Sequence, residues 1–455
     1  MSSRPNISLV TWDSVRADHL PIYGYGRETK PTLSAMAEDG LVFEDAQAPA
    51  VGTPASFAGM FSGRHTAGSM VHLHPNHWQQ ATEDIRLLPE ALQDVGYYTG
   101  GFHFNALMSS QFGWRRGWDV YEDHMWTESA DERIESDCKK RAFDLLHQAD
   151  LANFVVDGKR MLQGRPPVRW EAMWADIEAF LRSAPEPFFL WVLLIDTHHP
   201  YYAPKEYHEW NQPGVRRTYA LNYLMRRYRG MIGERRPSIV NAYDNTIRYA
   251  DEFLSKLRAT LAAEGYANDP IIVHGDHGDE LGEHANYGHR PLMYDTVTRV
   301  PLVMENVGET GRVSGPTSLL DLGSTVIALA GADERLGTRP SLLRNERQDR
   351  DFVTVQNIMD DGRRMAAVVG PDWKTLYHPA GDWGAKSFPE ESWEAYDRLS
   401  DPMERKNRWG DHPIDLEGVL REHLVDRNGG VESAGSEGDL DDETERRLRE
   451  LGYID

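Results

Sequence analysis

The sequence contains a single cysteine, Cys138, among its 455 residues. One thiol excludes an internal disulfide framework and a zinc site built from cysteines. No apolar run approaches the roughly 20 residues that a membrane-spanning helix needs. The first apolar segment begins by residue 6, and no charged stretch of the kind that opens a secretory signal precedes it. We therefore expect a protein with no membrane partner and a cytoplasmic location.

Basic residues are outnumbered by acidic ones. There are 49 Lys and Arg against 72 Asp and Glu, a net charge of −23, and only nine of the basic residues are lysine. This charge argues against nucleic acid as a partner, because nucleic-acid-binding proteins present a basic face. An acidic, lysine-poor surface suits a halophilic protein, in which high salt screens self-repulsion. Arginine-rich codon usage explains the same composition equally well.

Short apolar runs alternate with helical patterns over the first 350 residues. Strands are predicted at residues 6–12, 41–48, 97–104, 188–195, 271–273 and 300–304, and helices at 29–38, 87–95, 240–261 and 318–330. This alternation predicts an α/β fold of the doubly wound kind, in which a mostly parallel sheet is covered by helices on both faces.

The pattern changes after about residue 350. Residues 352–356, 364–369 and 373–377 are strand-like segments separated by turn signals, which predicts a small antiparallel subdomain. Residues 428–444 are rich in Gly, Ser and acidic residues and predict a flexible linker. We therefore divide the chain into an α/β core at 1–350, with insertions at 124–170 and 205–236, and a C-terminal α+β subdomain and tail at 351–455.

Acidic residues follow two of the predicted strands directly. The strand at residues 6–12 leads to Asp13, and the strand at 271–273 leads to Asp276 and His277. Ligands in open α/β sheets gather at the carboxyl ends of the strands. Two carboxylates and an imidazole at such an edge can hold a divalent cation. Each acid alone is also a candidate helix cap, but adjacent Asp and His residues are not both needed as caps.

Thr53 stands where the turn-rich segment 49–56 leads into an apolar segment at 57–61, which we interpret as a loop feeding a helix. A hydroxyl at such a junction is usually the N-cap of the helix. The functional alternative is a nucleophile, which a nearby metal ion would activate. The N-terminus of the helix would add positive potential for an anionic substrate.

Histidines follow two further segments of the predicted core. His198, just beyond the apolar run at 188–195, could bind a substrate oxyanion or protonate a leaving group, or be structural. We expect its neighbour His199 to point elsewhere on an extended backbone. Of His284 and His289, which follow the Asp-His pair, we favour His289 as the one that faces the site. Arg64 either supports the loop that carries Thr53 or is an ordinary surface residue.

These motifs, taken in order, resemble the sulfatase family within the alkaline phosphatase superfamily, over nearly the whole chain. NISLVTWDSVRADHLPIYGY resembles the family's first strand with its metal aspartate, and TPASFAGMFSGR its nucleophile segment. The segment IDTHHPYYAP resembles the family's Asp-x-His-x-Pro-Tyr motif, and HGDHGDELGEHANYGH resembles its metal motif. Two later motifs of the family are matched by SLLDLGSTVIALAG and EAYDRLSDPMERKN. The resemblance implies an alkaline-phosphatase-like core with a small C-terminal subdomain, a divalent metal at Asp13, Asp276 and His277, and displacement at sulfur or phosphorus through a covalent intermediate.

The sequence departs from the family pattern at three places. Thr53 stands at the position of the Cys or Ser that becomes formylglycine; threonine cannot be oxidised to that aldehyde, so we expect no formylglycine. Phe57 replaces the arginine of the same motif. Ser14 replaces the second aspartate of the usual Asp-Asp pair. The Lys-x-His pair of the family is absent, and His103 and Asn105 are the two candidates to substitute for it.

The sequence therefore predicts a metal-dependent hydrolase of a small anionic ester, with Thr53, His198 and His289 as catalytic residues and one ion of Ca, Mn, Zn or Mg. The ester is a sulfate, a phosphate (di)ester or a phosphonate ester. A sulfated threonine has no easy route of breakdown, whereas water can attack a phosphorylated one, which favours phosphorus. A phosphoryl-group transferase of the same superfamily and a metal-binding homologue without turnover are the alternatives. The oligomeric state is not encoded in any pattern that we recognise.

Overall fold

The computed structural model describes residues 4–65, 85–124, 166–167, 169–227, 236–348, 350–358, 363–383, 386–412, 416 and 418–419. Within these residues a nine-stranded sheet forms the centre of the molecule. The strands up to residue 318 are β1 (Ile7–Trp12), β2 (Leu41–Gln47), β3 (Tyr98–His103), β4 (Val120–Glu122), β5 (Phe188–Leu194), β6 (Ile271–Gly275), β7 (Glu280–Leu281), β8 (Tyr287–Gly288), β9 (Arg299–Val300), β10 (Leu302–Glu305) and β11 (Gly311–Ser318). Of these, β7 and β8 form a separate hairpin.

The parallel strands β1, β5 and β6 end at the same edge of the sheet. The order across the sheet is β11-β2-β10-β6-β1-β5-β3-β4, with β9 also paired to β2. Strand β1 is parallel to β5 on one side and to β6 on the other, whereas β10 is antiparallel to both of its neighbours. Trp12, the last residue of β1, lies opposite Leu194 of β5 and Gly275 of β6. The loops that follow these three strands therefore meet.

Helices cover both faces of this sheet. They are α1 (Pro31–Asp39), α2 (Thr53–Ser62), α3 (Leu88–Asp94), α4 (Glu171–Ser183), α5 (Val215–Arg227), α6 (Arg236–Ala263), α7 (Asp295–Thr298) and α8 (Leu322–Leu329). Leu9 and Trp191 pack with α2, α3 and α8, while their neighbours Val10 and Val192 pack with α1, α4 and α6 on the other face. None of the helices in the described ranges is long and apolar enough to cross a membrane. The predicted doubly wound, mostly parallel α/β fold is confirmed.

A second sheet follows the core. Strands β12 (Val353–Ile358), β13 (Arg364–Val369), β14 (Trp373–His378) and β17 (Ser392–Asp397) pair antiparallel in that order, and β15 (Gly381–Trp383) and β16 (Lys386–Phe388) form a hairpin. One face packs on the segment after β8 through a cluster that includes Leu292, Tyr294, Val355 and Leu376. The predicted small antiparallel sheet is confirmed, while the division of the chain at residue 350 stays a prediction.

Helix α2 begins at Thr53, not at the predicted residue 57. Gly52 is the N-cap residue and Pro54 lies in the first turn, where the missing N–H of a proline costs nothing. The turn-forming composition of residues 49–56 conceals this start in the sequence. The helix ends at Ser62, and Gly63 follows in the left-handed conformation at φ 67°. Thr53 is therefore a helical residue, and the N-cap position belongs to its predecessor.

Other elements also differ from the prediction. The strand expected at 300–304 is split into β9 and β10 at Pro301, which lacks the N–H that a continuous ladder needs. Strand β11 was not predicted, because its sequence, GRVSGPTS, has the composition of a loop. The helix expected at 318–330 starts only at Leu322, because Ser318 ends β11 and a 3-10 turn follows it. The linker predicted at 428–444 and most of the insertion at 124–170 lie outside the described residues.

Candidate active site

Asp13 lies directly after β1, and Asp276 and His277 lie directly after β6, so the parallel pairing of these strands brings the three side chains together. All three are completely buried. The Nε2 atom of His277 is 3.7 Å from Oδ1 of Asp13 and 3.6 Å from Oδ2 of Asp276. One ligand atom from each residue lies within 4.8 Å of the others. We name these three residues the strand-end cluster.

Buried polar contacts fix the two loops that carry the strand-end cluster. Arg16 pairs with Asp18 at 2.7 Å and with Glu283 at 3.2 Å, and its Nη1 donates to the carbonyl oxygen of Asp279 at 3.1 Å. From α6, the hydroxyl of Tyr243 accepts from the backbone N–H of Arg16 at 2.9 Å. These contacts join the loop after β1 to the loop after β6 without occupying the carboxylates of the cluster.

Ser14 orients both carboxylates of the strand-end cluster. Its hydroxyl donates to Oδ1 of Asp13 at 2.8 Å, and its backbone N–H donates to Oδ1 of Asp276 at 3.1 Å. The residue has φ 62°, in the left-handed region that non-glycine residues seldom adopt. The position where the family pattern has a second aspartate thus holds a hydrogen-bond donor, and the second oxygen of each carboxylate remains for another partner.

Among the described residues, no lysine or arginine pairs with the carboxylates of the strand-end cluster, whose ion-pair contacts are to His277. Burial raises the pKa of Asp276 to about 6, and burial together with repulsion from Asp276 raises the pKa of Asp13. Burial lowers the pKa of His277 to about 4, so this imidazole is neutral near pH 7. Within the part of the chain that the structure describes, the Oδ2 atom of Asp276 is buried without a hydrogen-bond partner. Two buried carboxylates and a neutral imidazole are a donor set that fits a divalent cation.

Thr53 completes this donor set from the first turn of α2. Its hydroxyl is 3.4 Å from Oδ2 of Asp13 and 3.3 Å from Nε2 of His277. The N-cap interpretation of Thr53 is wrong, because Gly52 occupies that position and has no side chain to cap with. The hydroxyl therefore faces the strand-end cluster at the N-terminus of a helix, where free backbone N–H groups favour an anion.

Phe57, which replaces an arginine of the family motif, points away from the site. Its ring packs against Phe61 at 5.1 Å and against Trp191 of β5 at 4.8 Å, both edge-on. Such aromatic pairs stabilise beyond their buried area by roughly 1 kcal/mol. Helix α2, and with it Thr53, is therefore positioned by the apolar core and not by a charged contact.

Asn105 enters the site and His103 does not. Asn105 follows β3 as Asp13 follows β1, and its Nδ2 donates to Oδ2 of Asp13 at 3.3 Å. Its Oδ1 accepts from the backbone N–H of Leu107 at 3.0 Å, which fixes the amide. His103 is buried between Tyr121 and Trp191, and burial lowers its pKa to about 4. Between the two residues that the sequence leaves open, the strand-end position was the discriminating signal.

His198, His199 and His289 meet beside the strand-end cluster. The rings of His198 and His199 stack with centroids 4.0 Å apart, and that of His289 lies 5.3 Å from His198 and 4.3 Å from His277. The expectation that His199 points elsewhere is wrong. A 3-10 turn over Ile195–Thr197 follows β5, so the alternation of an extended strand does not apply here. All three imidazoles are partly exposed, whereas the strand-end cluster is completely buried.

Asp279, which sequence reasoning missed, contacts two of these histidines, His199 and His289. It is completely buried and accepts from the hydroxyl of Tyr201 at 2.5 Å and from Nδ1 of His289 at 2.8 Å. Nδ1 of His199 lies 3.5 Å from its Oδ2. Although burial opposes it, the neighbouring imidazoles hold the pKa of Asp279 well below its usual range, and Asp279 in turn raises the pKa of His289 against burial. The sequence signal that could have identified Asp279 is its place at the end of the Asp-His-Gly-Asp motif.

Two further candidates lie away from the site. Arg64 is exposed after the end of α2. His284 is stacked on Tyr294 at 3.8 Å, with Nδ1 2.6 Å from Glu280 and Nε2 3.1 Å from the carbonyl oxygens of Met403 and Glu404. His284 thus links the core to the segment that follows the C-terminal sheet. Of the two histidines after the metal motif, the favoured one, His289, is the one at the site.

A family model described as "Sulfatase" matches residues 5–332. Among curated proteins, the chain is 24% identical to an uncharacterized sulfatase, YidJ, of Escherichia coli K12, over 93% of this chain and 87% of the relative. It is 23% identical to a sulfatase of Formosa agariphila, over 88% and 82% of the two chains.

Solved structures share the fold. The phosphonate monoester hydrolase of Agrobacterium radiobacter has a TM-score of 0.65 and 17% identity, with 93% of this chain and 96% of the other covered. A protein solved with its substrate D-glucosamine-2-N,6-O-disulfate has a TM-score of 0.64 and 16% identity, with 93% and 98% covered. At these identities the likeness concerns the fold alone.

Proposed function

Because the chain belongs to the sulfatase family of hydrolases, we propose that it hydrolyses a small anionic phosphorus ester, a phosphate diester or a phosphonate ester, with Thr53 as the nucleophile. The observation that carries this proposal is the position of the Thr53 hydroxyl. It lies 3.4 Å from Asp13 and 3.3 Å from His277 at the N-terminus of α2. A hydroxyl there is next to two buried carboxylates that fit a cation and next to backbone N–H groups that favour an anion.

One divalent ion would be held by Asp13, Asp276, His277 and Thr53. When bound, it supplies positive charge that favours the ionised form of the Thr53 oxygen and orients the ester oxygens. Atoms of these side chains lie 3.3 to 3.7 Å apart, a spacing that would suit a small cation such as zinc, whose ligands lie roughly 3.3 Å apart. Calcium takes six to eight oxygen ligands, so we favour zinc, or a manganese ion of similar ligand preference, over calcium.

The remaining steps belong to residues of the chain. The Thr53 oxygen attacks phosphorus in line, and the bond from phosphorus to the leaving oxygen breaks. His289, oriented by Asp279, gives a proton from Nε2 to that oxygen and later takes one from the water that releases Thr53. Asn105 holds Asp13, and His198 lines the open side of the site, where the substrate enters. The burial of the strand-end cluster keeps other water away from the Thr53 oxygen.

The chemistry of threonine favours phosphorus over sulfur. Without an aldehyde hydrate, a sulfated Thr53 has no internal route to eject sulfate, whereas a phosphorylated one is open to attack by water. Phosphonate monoester hydrolases are among the proteins that share this fold. A sulfate ester is the second candidate, because the curated relatives are named sulfatases.

The test is a matched turnover assay with metal-loaded protein. An aryl phosphodiester, an aryl phosphonate and an aryl sulfate are offered with Zn, Mn, Ca or Mg, in low and in multimolar salt. We expect turnover of a phosphorus ester that falls at least about 10³-fold in Thr53→Ala, and a phosphorylated Thr53 peptide after acid quenching. Ser56→Ala, which alters a buried hydroxyl of the same helix outside the site, is the control and should retain activity.

Three results would contradict the proposal. Sulfate release without phosphoester turnover would favour the second candidate. Full activity of Thr53→Ala would mean that water attacks directly. Absence of turnover with every substrate, in a protein shown to bind metal, would favour the transferase or the binding homologue.

A further inference from the structure

A polar cavity lies at the outer edge of the central sheet, away from the strand-end cluster. Strand β11 is the last strand in the sheet order, and β10 and β2 separate it from β6. A cavity of about 240 Å³ opens between β11 and the segment 341–350, and we name it the edge cavity. Its volume is several times the roughly 30 Å³ of one water molecule, so a small ligand fits. The polar side chains of its lining include Ser314, Thr317, Asp321, Ser341, Arg347 and Arg350.

The side of the edge cavity formed by β11 contains a bulge. The register of β11 against β2 is broken between Val313 and Pro316, so Ser314 and Gly315 have no register partner in β2. Gly315 has φ 88°, a left-handed conformation that glycine adopts without strain. The extra residues of a bulge stay outside the hydrogen-bond ladder. The backbone N–H groups of Ser314 and Gly315 are therefore candidate donors to a ligand in the cavity.

The other side of the edge cavity carries two guanidinium groups with spare donors. Nη1 of Arg347 donates to the carbonyl oxygen of Leu342 at 3.1 Å, and Nη1 of Arg350 donates to Oδ2 of Asp321 at 2.6 Å. These are the hydrogen bonds that the two side chains make within the described ranges, whereas a guanidinium has five N–H donors. Each side chain is 20% exposed. Both can therefore donate to a ligand without giving up their present partners.

Positive charge exceeds negative charge around the edge cavity. Four arginines share two carboxylates in this part of the described chain: Arg339 and Arg350 pair with Asp321, and Arg344 and Arg347 pair with Glu309. The chain as a whole has a net charge of −23, so the local excess is opposite in sign to the rest of the protein. A concave site lined by one sign of charge concentrates small ions of the other sign.

We propose that the edge cavity binds a small oxyanion of the phosphate class, outside the active site. Arg347 and Arg350 hold its oxygens through charge-assisted hydrogen bonds, which are the strong kind. Ser341 adds a hydroxyl, whose oxygen accepts from the backbone N–H of Leu343 at 3.2 Å and whose proton remains to be donated. The two guanidiniums disfavour a cation, and the polar lining disfavours an apolar ligand. This inference goes beyond the proposed function and does not rest on it.

An anion in the edge cavity connects two parts of the fold. It contacts β11 at the edge of the sheet and the segment 341–350, which follows α8 in the chain. A ligand that binds the folded state alone stabilises that state by mass action. Phosphate should therefore raise the melting temperature as well as bind.

The test is the binding of inorganic phosphate, measured by calorimetry on full-length protein freed of metal with a chelator. Without a cation, the two buried carboxylates of the strand-end cluster repel an anion, which leaves the edge cavity as the expected site. We expect one equivalent of phosphate, with an affinity at least about 10-fold lower in Arg347→Gln, which loses charge-assisted hydrogen bonds. Arg335→Gln is the matched control. Arg335 pairs with Glu346 on the surface, so this variant should bind phosphate as the wild type does.

The exposed residue of the bulge gives a second pair of variants. Ser314 lines the edge cavity and is exposed, so a substitution there leaves the buried core unchanged. Ser314→Asp adds a negative charge at the cavity, and we expect it to weaken phosphate binding at least about 10-fold by like-charge repulsion. Ser314→Asn has the same size as Ser314→Asp without the charge and should bind as the wild type does.

Each outcome decides the proposal. Absence of phosphate binding in the wild type, or wild-type affinity in both Arg347→Gln and Ser314→Asp, would overturn it. His289→Ala removes an imidazole of the active site and should leave the phosphate affinity unchanged; a loss of binding there would place the phosphate in the active site. If Arg347→Gln does not fold, as judged by circular dichroism, the two Ser314 variants decide. None of these measurements uses turnover, so a failure of Thr53 as the nucleophile leaves them unaffected.

Discussion

The strand-end cluster can be compared with a second buried group of carboxylates, where the central sheet meets the C-terminal sheet. This interface cluster consists of Asp45, Asp295, Lys374 and Arg398. Nζ of Lys374 is 2.7 Å from Oδ1 of Asp295, and Arg398 makes two hydrogen bonds of 2.6 and 2.7 Å to Asp45. Lys374 is completely buried and Arg398 nearly so.

The two clusters differ in the origin of their positive charge. In the interface cluster, Arg398 and Lys374 hold the pKa of Asp295 well below its usual range, although burial opposes this. In the strand-end cluster, burial raises the pKa of Asp13 and Asp276, and no charged partner except imidazoles contacts them in the described ranges. The chain thus neutralises its own acids where they join two sheets. It leaves acids uncompensated where we propose that an ion binds.

The largest expected effect separates activity from stability in the strand-end cluster. Asp276→Asn keeps the size of the side chain and removes a ligand charge. We expect kcat/KM to fall about 10³-fold, about 4 kcal/mol of transition-state stabilisation. The free energy of unfolding of the metal-free protein should rise or stay the same, because a buried, unpaired charge is removed. A metal-free variant that unfolds at lower urea concentration than the metal-free wild type would contradict the view that the charge of Asp276 is uncompensated.

The opposite result is expected in the interface cluster. Asp295→Asn takes away the closest carboxylate of the buried Lys374, so we expect a loss of about 3 kcal/mol in the free energy of unfolding, measured by urea denaturation. The kcat of the folded fraction should change little. Asp372→Asn, an exposed position of the same region, is the control and should stay within about 0.5 kcal/mol of the wild type. If Asp295→Asn and Asp372→Asn both changed the free energy of unfolding by no more than this, the interface cluster would contribute nothing to stability.

The pH dependence of stability sharpens the comparison. The pKa of Asp295 is lowered in the folded protein from an unfolded value of about 4. Its contribution is therefore fully present above about pH 4 and is lost as the pH falls through the lowered pKa. We expect the stability difference between wild type and Asp295→Asn to shrink by up to about 1.4 kcal/mol per pH unit below pH 4. A difference that stays constant in this acid range would contradict the assigned pairing.

The smallest expected effect concerns Ser14. Ser14→Gly removes the hydroxyl that donates to Asp13 at 2.8 Å, and glycine adopts φ 62° without strain. We expect the affinity of the strand-end cluster for Zn²⁺ to fall about 10-fold, as is usual when a contact that orients a ligand is lost. Calorimetry on the metal-free protein measures this. An unchanged affinity would show that the carboxylate is oriented by other contacts.

The sequence alone predicts much of the site, because strand ends are visible in it. Asp13, Asp276 and His277 each follow an apolar run, and parallel strands bring such residues to one edge of a sheet. Thr53 lies beside these residues, although α2 begins at Thr53 and not at the predicted residue 57. Asn105 carries the same signal, because it directly follows the predicted strand at 97–104, but the absent Lys-x-His pair left His103 as an equal candidate.

Other parts depend on geometry that no local pattern carries. His199 joins the site because the chain turns after β5, and an extended backbone was the simplest assumption. Strand β11 looks like a loop in the sequence, and only its pairing with β2 makes it a strand. The interface cluster joins Asp45 to Arg398, which are 353 positions apart, so neither residue has a signal in its own segment.

The position of Thr53 at the start of α2 has a consequence for how the protein becomes active. A formylglycine must be made from its precursor by a separate enzyme after translation, whereas a threonine nucleophile is present as encoded. If Thr53 is that nucleophile, the polypeptide needs only to fold and to acquire its metal ion. Its maturation is then limited by metal supply and not by an oxidising partner, and a recombinant host needs no helper gene to produce it in working form.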